Sequence, residues 1–248
     1  MENNWKNKTA IITGGAGDLG LATAKRLQNK GVNIALFDNR MESLERAKSQ
    51  LEPGASIYEV DVTNVDQINK AVEGVVSNFG GIEILINAAG ITGKTNIKSH
   101  EVSLDDFELV WAINVKGSLA TFQAVAPYML EQNYGRVLNV ASVAGKEGNA
   151  GMSSYSSAKA AVIGMTKSQG KEYAETGISI NAIAPAVIRT GMVAAMPDDQ
   201  VKYMTDKIPM KRCGELEEFA AMAEFIVSAE NGFSTGFTYD LTGGRSVY

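Results

Sequence analysis

Short, uniformly apolar, β-branched runs alternate along this chain with longer stretches in which apolar residues recur every three or four positions. TAIIT precedes LGLATAKRLQNKG, VNIALFD precedes SLERAKSQL, SIYEVDV precedes VDQINKAVEGVVSNFG, and IEILIN follows. Runs of the first kind fit strands buried on both faces, and a helix-period segment after each fits the crossover that parallel strands require. The pattern continues with a long helical segment from about Asp105 to Gln132, a strand in GRVLNVAS, a helix from about Ser153 to Thr176 and a strand in GISINAIA. A helix from about Glu215 to Ala229 then leads to a strand in FTYDL. The expected fold class is α/β: one domain over residues 1–248, a doubly wound, seven-stranded parallel sheet with helices on both faces. Thr190 to Met210 has the weakest pattern and is the expected substrate lid within that domain.

TGGAGDLG, from Thr13 to Gly20, lies between the first strand and the first helix. A turn there can present backbone N–H groups and the positive helix end to a pyrophosphate; the alternative is a tight turn merely rich in glycine. Asp18 is an acid inside this turn. Asp tolerates left-handed backbone and is a favoured N-cap, so it is expected to cap the first helix with its carboxylate turned away from the phosphates. Asp38 ends the second strand, eighteen residues beyond Gly20. An acid at that distance accepts from the adenosine 2′-OH and repels a 2′-phosphate, favouring NAD over NADP, with Arg40 as the opposing consideration.

The 248 residues are 45% hydrophobic and 21% charged, enough for a full core. A net charge of -5 without any basic run gives no reason to expect nucleic acid or an anionic membrane as partner. MENNWKNK lacks an apolar targeting segment, and no run of about 18 apolar residues occurs. Cys213 is the only cysteine, so no intrachain disulfide forms, and the expected location is cytoplasmic. One cysteine and one histidine make a zinc site improbable, and no metal is expected. His100 lies in the polar TGKTNIKSHE and no G-x-S-x-G occurs, which argues against a serine hydrolase.

The chemistry concentrates in SSYSSAK, where Tyr155 and Lys159 share one helical face. Such a pair alone usually marks a solvated face. Ser142, thirteen residues earlier at the end of GRVLNVAS, sits at the sheet edge where ligands collect in open α/β folds. These motifs resemble, in order and over the whole chain, those of the short-chain dehydrogenase/reductase family. TGGAGDLG is similar to its T-G-x-x-x-G-x-G with Asp18 for the middle glycine, NAAG to its N-N-A-G, and PAVIRT to its P-G-x-x-x-T with Ala186 for glycine. The resemblance implies a Rossmann fold and a catalytic set of Ser142, Tyr155, Lys159 and, from WAINVKG, Asn114; by itself Asn114 reads as a capping or buried polar group. It further implies cofactor contacts at Gly14, Asp18, Leu19, Gly20, Asp38, the adenine pair Asp61 and Val62, and Asn87, Ala88 and Gly90. Tyr155 and Lys159 join them, with Pro185, Ile188 and Thr190 bordering the nicotinamide.

Oxidising an alcohol requires a base for the hydroxyl proton, and a phenol with a pKa near 10 is a poor one at neutral pH. A Lys159 ammonium and a positive nicotinamide ring are expected to favour the Tyr155 phenolate. Ser142 would bond the substrate oxygen, Lys159 the ribose, and Asn114 a relay water. AGKEGNAGMSSYSSAK and DLTGGRSVY resemble segments of NAD-dependent enzymes acting on 2-keto-3-deoxy sugar acids and polyols, so a small-molecule substrate is expected. Residues 143–152 would line its cleft, with Lys146, Asn149, Arg245 and also Arg189 as polar candidates, each equally readable as a surface residue. The family also implies a homotetramer, in which Arg245 and Tyr248 would help close a neighbour's cleft. The alternatives are a 3-oxoacyl-acyl-carrier-protein reductase and a non-catalytic dinucleotide-binding regulator; intact Ser142, Tyr155 and Lys159 oppose the second.

Overall fold

The computed structural model of the chain describes residues 5–246 and 248. Seven strands form its sheet: β1 (Thr9–Thr13), β2 (Asn33–Asp38), β3 (Ser56–Glu59), β4 (Ile84–Asn87), β5 (Gly135–Val140), β6 (Ile178–Pro185) and β7 (Thr238–Leu241). All pairings are parallel, in the order β3-β2-β1-β4-β5-β6-β7. The order reverses between β1 and β4, and in such sheets the crevice at the carboxyl ends of those strands receives ligands.

Burial on both faces explains why the strands read as unbroken apolar runs. In β1, Ala10 and Ile12 face a core built with α1 (Asp18–Gln28) and α10 (Leu216–Ile226), where Leu27, Phe219 and Ala223 are buried. Ile11 points the opposite way, as the two-residue period demands. It meets Ile68, Val72 and Val75 of α3 (Val65–Phe79) and Phe122, Val125 and Met129 of α5 (Gly117–Glu131). The Asn64 side chain caps α3 by accepting from the Gln67 N–H, and Gly80, at φ 87°, ends it in the left-handed conformation that glycine adopts cheaply.

Connections follow the sequence pattern with three differences. The segment expected to be one helix from Asp105 to Gln132 is helical throughout, but α4 (Leu104–Trp111) and α5 are joined by a π turn at Ala112–Lys116. A one-turn helix, α6 (Ala144–Glu147), precedes α7 (Ser153–Glu172), which stops four residues short of Thr176. The segment of weak periodicity holds two short helices, α8 (Gly191–Ala194) and α9 (Asp198–Asp206); α2 (Met41–Lys48) completes the long connections.

Candidate active site

The β1–α1 turn approaches the end of β4 too closely for side chains. A Cβ at Gly14, which has φ 64°, would lie 2.8–2.9 Å from the Ala88 and Ala89 backbone, and one at Gly20 would lie 2.5 Å from the Gly14 carbonyl oxygen. Glycine alone fits both positions. No side chain caps α1, so its first-turn residues Asp18, Leu19 and Gly20 offer N–H groups and the positive helix end to a phosphate.

Asp18 does not cap the helix, contrary to the sequence expectation. Gly17 occupies the N-cap with extended backbone, and Asp18 is already the first helical residue. From there its carboxylate reaches across the crevice and accepts the Gly191 N–H at 2.7 Å, tying the phosphate turn to the start of α8.

A cavity of about 410 Å³ opens beside the turn. Gly14, Asp38, Asp61, Val62, Ala88 and Gly90 line it, as the motifs implied, and so does Arg40. Ile91 and Ile113 also line it and were not anticipated; their positions beside Gly90 and Asn114 were the available signal. Asp38 accepts the Ala16 N–H at 3.2 Å, fixing the acid against the turn. Asp61 accepts from both the N–H and the hydroxyl of Thr63. The Asn87 side chain turns inward: it donates to Asn139 and the Ser118 carbonyl and accepts from Thr121. It therefore braces the sheet against α5, with both of its amide hydrogens committed there.

At the opposite end of the crevice Ser142 follows β5, and its Oγ accepts the Ala144 N–H at 3.1 Å. The Tyr155 phenol faces Ser142, whose hydroxyl can hydrogen-bond its ionised form. Burial pushes the Tyr155 phenol above its usual range, while the Ser142 bond acts in the opposite direction. Lys159 is buried, with Nζ donating to the Val140 carbonyl at 2.7 Å and lying 5.7 Å from the centre of the Tyr155 ring. Burial lowers its own pKa from 10.5 to about 8. The sequence expectation joined Lys159 to a positive nicotinamide ring in favouring the phenolate; within the chain itself burial acts against charge on both side chains.

The π turn places Asn114 in this group, consistent with such turns occurring at functional sites. Its Nδ2 donates to the Ile91 and Val110 carbonyls, each at 2.9 Å, leaving buried Oδ1 without a protein partner. A Cβ at Gly90 would lie 2.5 Å from that oxygen and 3.3 Å from Lys159 Nζ, so glycine keeps the space between acceptor and ammonium open. The glycine cradle, the acid beside it and this orphaned acceptor fit a nicotinamide dinucleotide. Pro185 closes β6, Ile188 is buried in a bridge to Gly214, and Thr190 caps α8 by accepting the Val193 N–H.

The expected substrate cations fare differently. Lys146 is withdrawn from the cleft: its ammonium bonds both Asp240 oxygens at 2.8 Å, its side chain is 6% exposed, and the Tyr248 ring covers it. The turn of α6 directs it toward β7. Arg189 pairs with Glu215 on the surface. Arg245 bonds Glu147 and Asn149, and the Tyr248 hydroxyl donates to the Lys146 carbonyl, so in this chain the tail closes on its own α6. Among the described residues no group of three or more His, Cys, Asp or Glu is placed to hold a metal ion, and no helix is long and apolar enough to cross a membrane.

A doubly wound parallel sheet with a glycine turn at its switch point and a Ser-Tyr-Lys group at the same edge defines an oxidoreductase that uses a nicotinamide dinucleotide on CH–OH groups. Residues 8–201 match the short chain dehydrogenase family, and the chain belongs to it. It is 41% identical over 244 residues to a 2-dehydro-3-deoxy-L-rhamnonate dehydrogenase (NAD(+)) of Sphingomonas sp. (strain SKA58), covering 98% of this chain and 97% of that one. A 3-oxoacyl-[acyl-carrier-protein] reductase of Thermotoga maritima is 36% identical over 245 residues, covering 98% and 99%. Among solved structures, NAD+-bound xylitol dehydrogenase superposes with a TM-score of 0.90 at 32% identity, covering 97% and 99% of the two chains.

Proposed function

We propose that this protein is an NAD-dependent dehydrogenase that oxidises a secondary alcohol of a sugar acid or polyol, or reduces the matching ketone, with Tyr155 as general acid/base. The observation that carries the reading is the half-buried Tyr155, facing Ser142 and backed by buried Lys159 and the free Asn114 oxygen. The nicotinamide, when bound, exchanges the hydride with the carbinol carbon. Ser142 hydrogen-bonds the substrate oxygen and holds it at the phenol. Tyr155 takes the hydroxyl proton in oxidation and returns it in reduction. Lys159, with a pKa of about 8, exchanges a proton near neutral pH with a relay water that Asn114 Oδ1 would hold as hydrogen-bond acceptor, and the water passes the proton on to solvent. Asn114 is held by two backbone carbonyls, so that oxygen stays aimed at the relay.

The similarity to an NAD-dependent sugar-acid dehydrogenase and to a polyol dehydrogenase supports the substrate class. Asp38 supports NAD over NADP, because its carboxylate, braced by Ala16, meets the ribose side of the cavity. Tyr155→Phe keeps the ring and removes the proton carrier. Expected is loss of turnover by at least about a hundredfold, the scale of a general acid/base, with NADH affinity intact in a fluorescence titration. Substantial remaining turnover would refute the assignment. Initial-rate screens with NAD and NADP against sugar acids, deoxy sugar acids, polyols and secondary alcohols test the substrate class.

A further inference from the structure

The end of the chain braces the segment that joins Ser142 to Tyr155. Lys146 is bound by Asp240, its carbonyl accepts the Tyr248 hydroxyl, and Glu147 accepts Arg245 Nε at 2.9 Å. Arg245 Nη2 donates to Asn149 Oδ1, also at 2.9 Å. A guanidinium can only donate, so this contact settles the orientation of the Asn149 amide: oxygen toward Arg245, NH2 away from it. The partner recorded for that NH2 group is the Met152 sulfur at 4.0 Å, a weak acceptor at long range. Asn149 is only partly exposed, and its backbone N–H donates to Ser156 Oγ, on the residue following Tyr155. A donor with so poor a partner, on the segment that joins Ser142 to Tyr155, is a ready contact for an acceptor on a ligand.

We propose that Asn149 is a specificity-determining residue whose amide, oriented by Arg245, donates to the carboxylate of a sugar-acid substrate. The proposal rests on the sugar-acid reading given above. Glu147 neutralises Arg245, so recognition falls to a directed hydrogen bond instead of a free cation. A site of this kind rejects a neutral analogue because its donor is left unpaired. Arg245 is a positioning residue here, acting through Asn149.

Asn149→Asp separates this role from a structural one. A carboxylate keeps the bond to Arg245 and removes the donor. Steady-state kinetics of the full-length enzyme with NAD would use 2-keto-3-deoxy-L-rhamnonate and xylitol as probes. In Asn149→Asp, KM for the acid is expected to rise by about tenfold or more, while kcat and KM for xylitol, NADH affinity and melting temperature stay within about twofold or a degree or so. Arg245→Met should raise KM for the acid as well, with partial recovery in Arg245→Lys. An unchanged KM for the acid in Asn149→Asp, or an equal rise for both probes, overturns the proposal while leaving the substrate class intact. A wild type that oxidises xylitol but is neither served nor inhibited by the acid overturns the sugar-acid reading, and the proposal with it, while leaving the polyol reading in place.

Discussion

Lys159 bears an energetic cost that its spacing from Tyr155 does not reveal. Its pKa falls from 10.5 unfolded to about 8 folded, with burial as the cause. Between those values the unfolded chain binds the extra proton, so this group makes stability rise with pH across that window. Below about 8 its full cost, about 3 kcal/mol, is present. Lys159→Met is therefore expected to stabilise the cofactor-free protein at pH 7 by up to about that amount, less the lost bond to Val140, with the gap closing as pH approaches 10.5; urea unfolding at the two ends of the window measures it. Turnover should be lost. At the adenosine end, Asp38→Ser removes the charge beside Arg40 and should narrow the preference for NAD over NADP, read from kcat/KM with each. Tyr155, Lys159 and Ser142 were legible because a helical period and a strand end fix their relation locally. Lys146 was not, because the acid that captures it is 94 residues away.

Among the elements, α1 and α8 meet through one bond, that from the Gly191 N–H to Asp18. Asp18→Gly restores the family's glycine but releases Gly191. NADH affinity is expected to be unchanged or improved, since a carboxylate leaves the phosphate turn, while residues 190–210 become more susceptible to limited proteolysis. Asn in place of Asp18 still offers an acceptor and should preserve the protection. A large loss of NADH affinity in Asp18→Gly would show that the carboxylate serves the cofactor directly. The places of the long helices followed from periodicity, yet the π turn at Ala112–Lys116 did not. Its extra residue leaves flanking helical segments that look continuous in sequence, and only the packing of Asn114 against Ile91 and Val110 sets it.

For the molecule as a whole, the sheet order positions the nucleotide crevice and the catalytic group on one edge, and several large apolar side chains remain on the surface. Leu104 and Leu109 are exposed on α4, and Phe233, Phe237 and Tyr248 stand near β7. Faces of this kind suit subunit contacts. We expect a homotetramer: light scattering should give four times the 26.4 kDa chain mass, and Phe237→Glu should shift the population to smaller species. A wild-type monomer at micromolar concentration would refute this.

Strand and helix types, the parallel α/β architecture and the Ser-Tyr-Lys spacing could be read from the chain alone, because each depends on periods of a few residues imposed by backbone geometry. Partner choice could not. Asp18 finds Gly191 across 173 residues, and Asn149 finds Arg245 across 96. Such bonds depend on where the sheet delivers distant loops, so only the folded chain distinguishes a charge free to meet a substrate from one already neutralised.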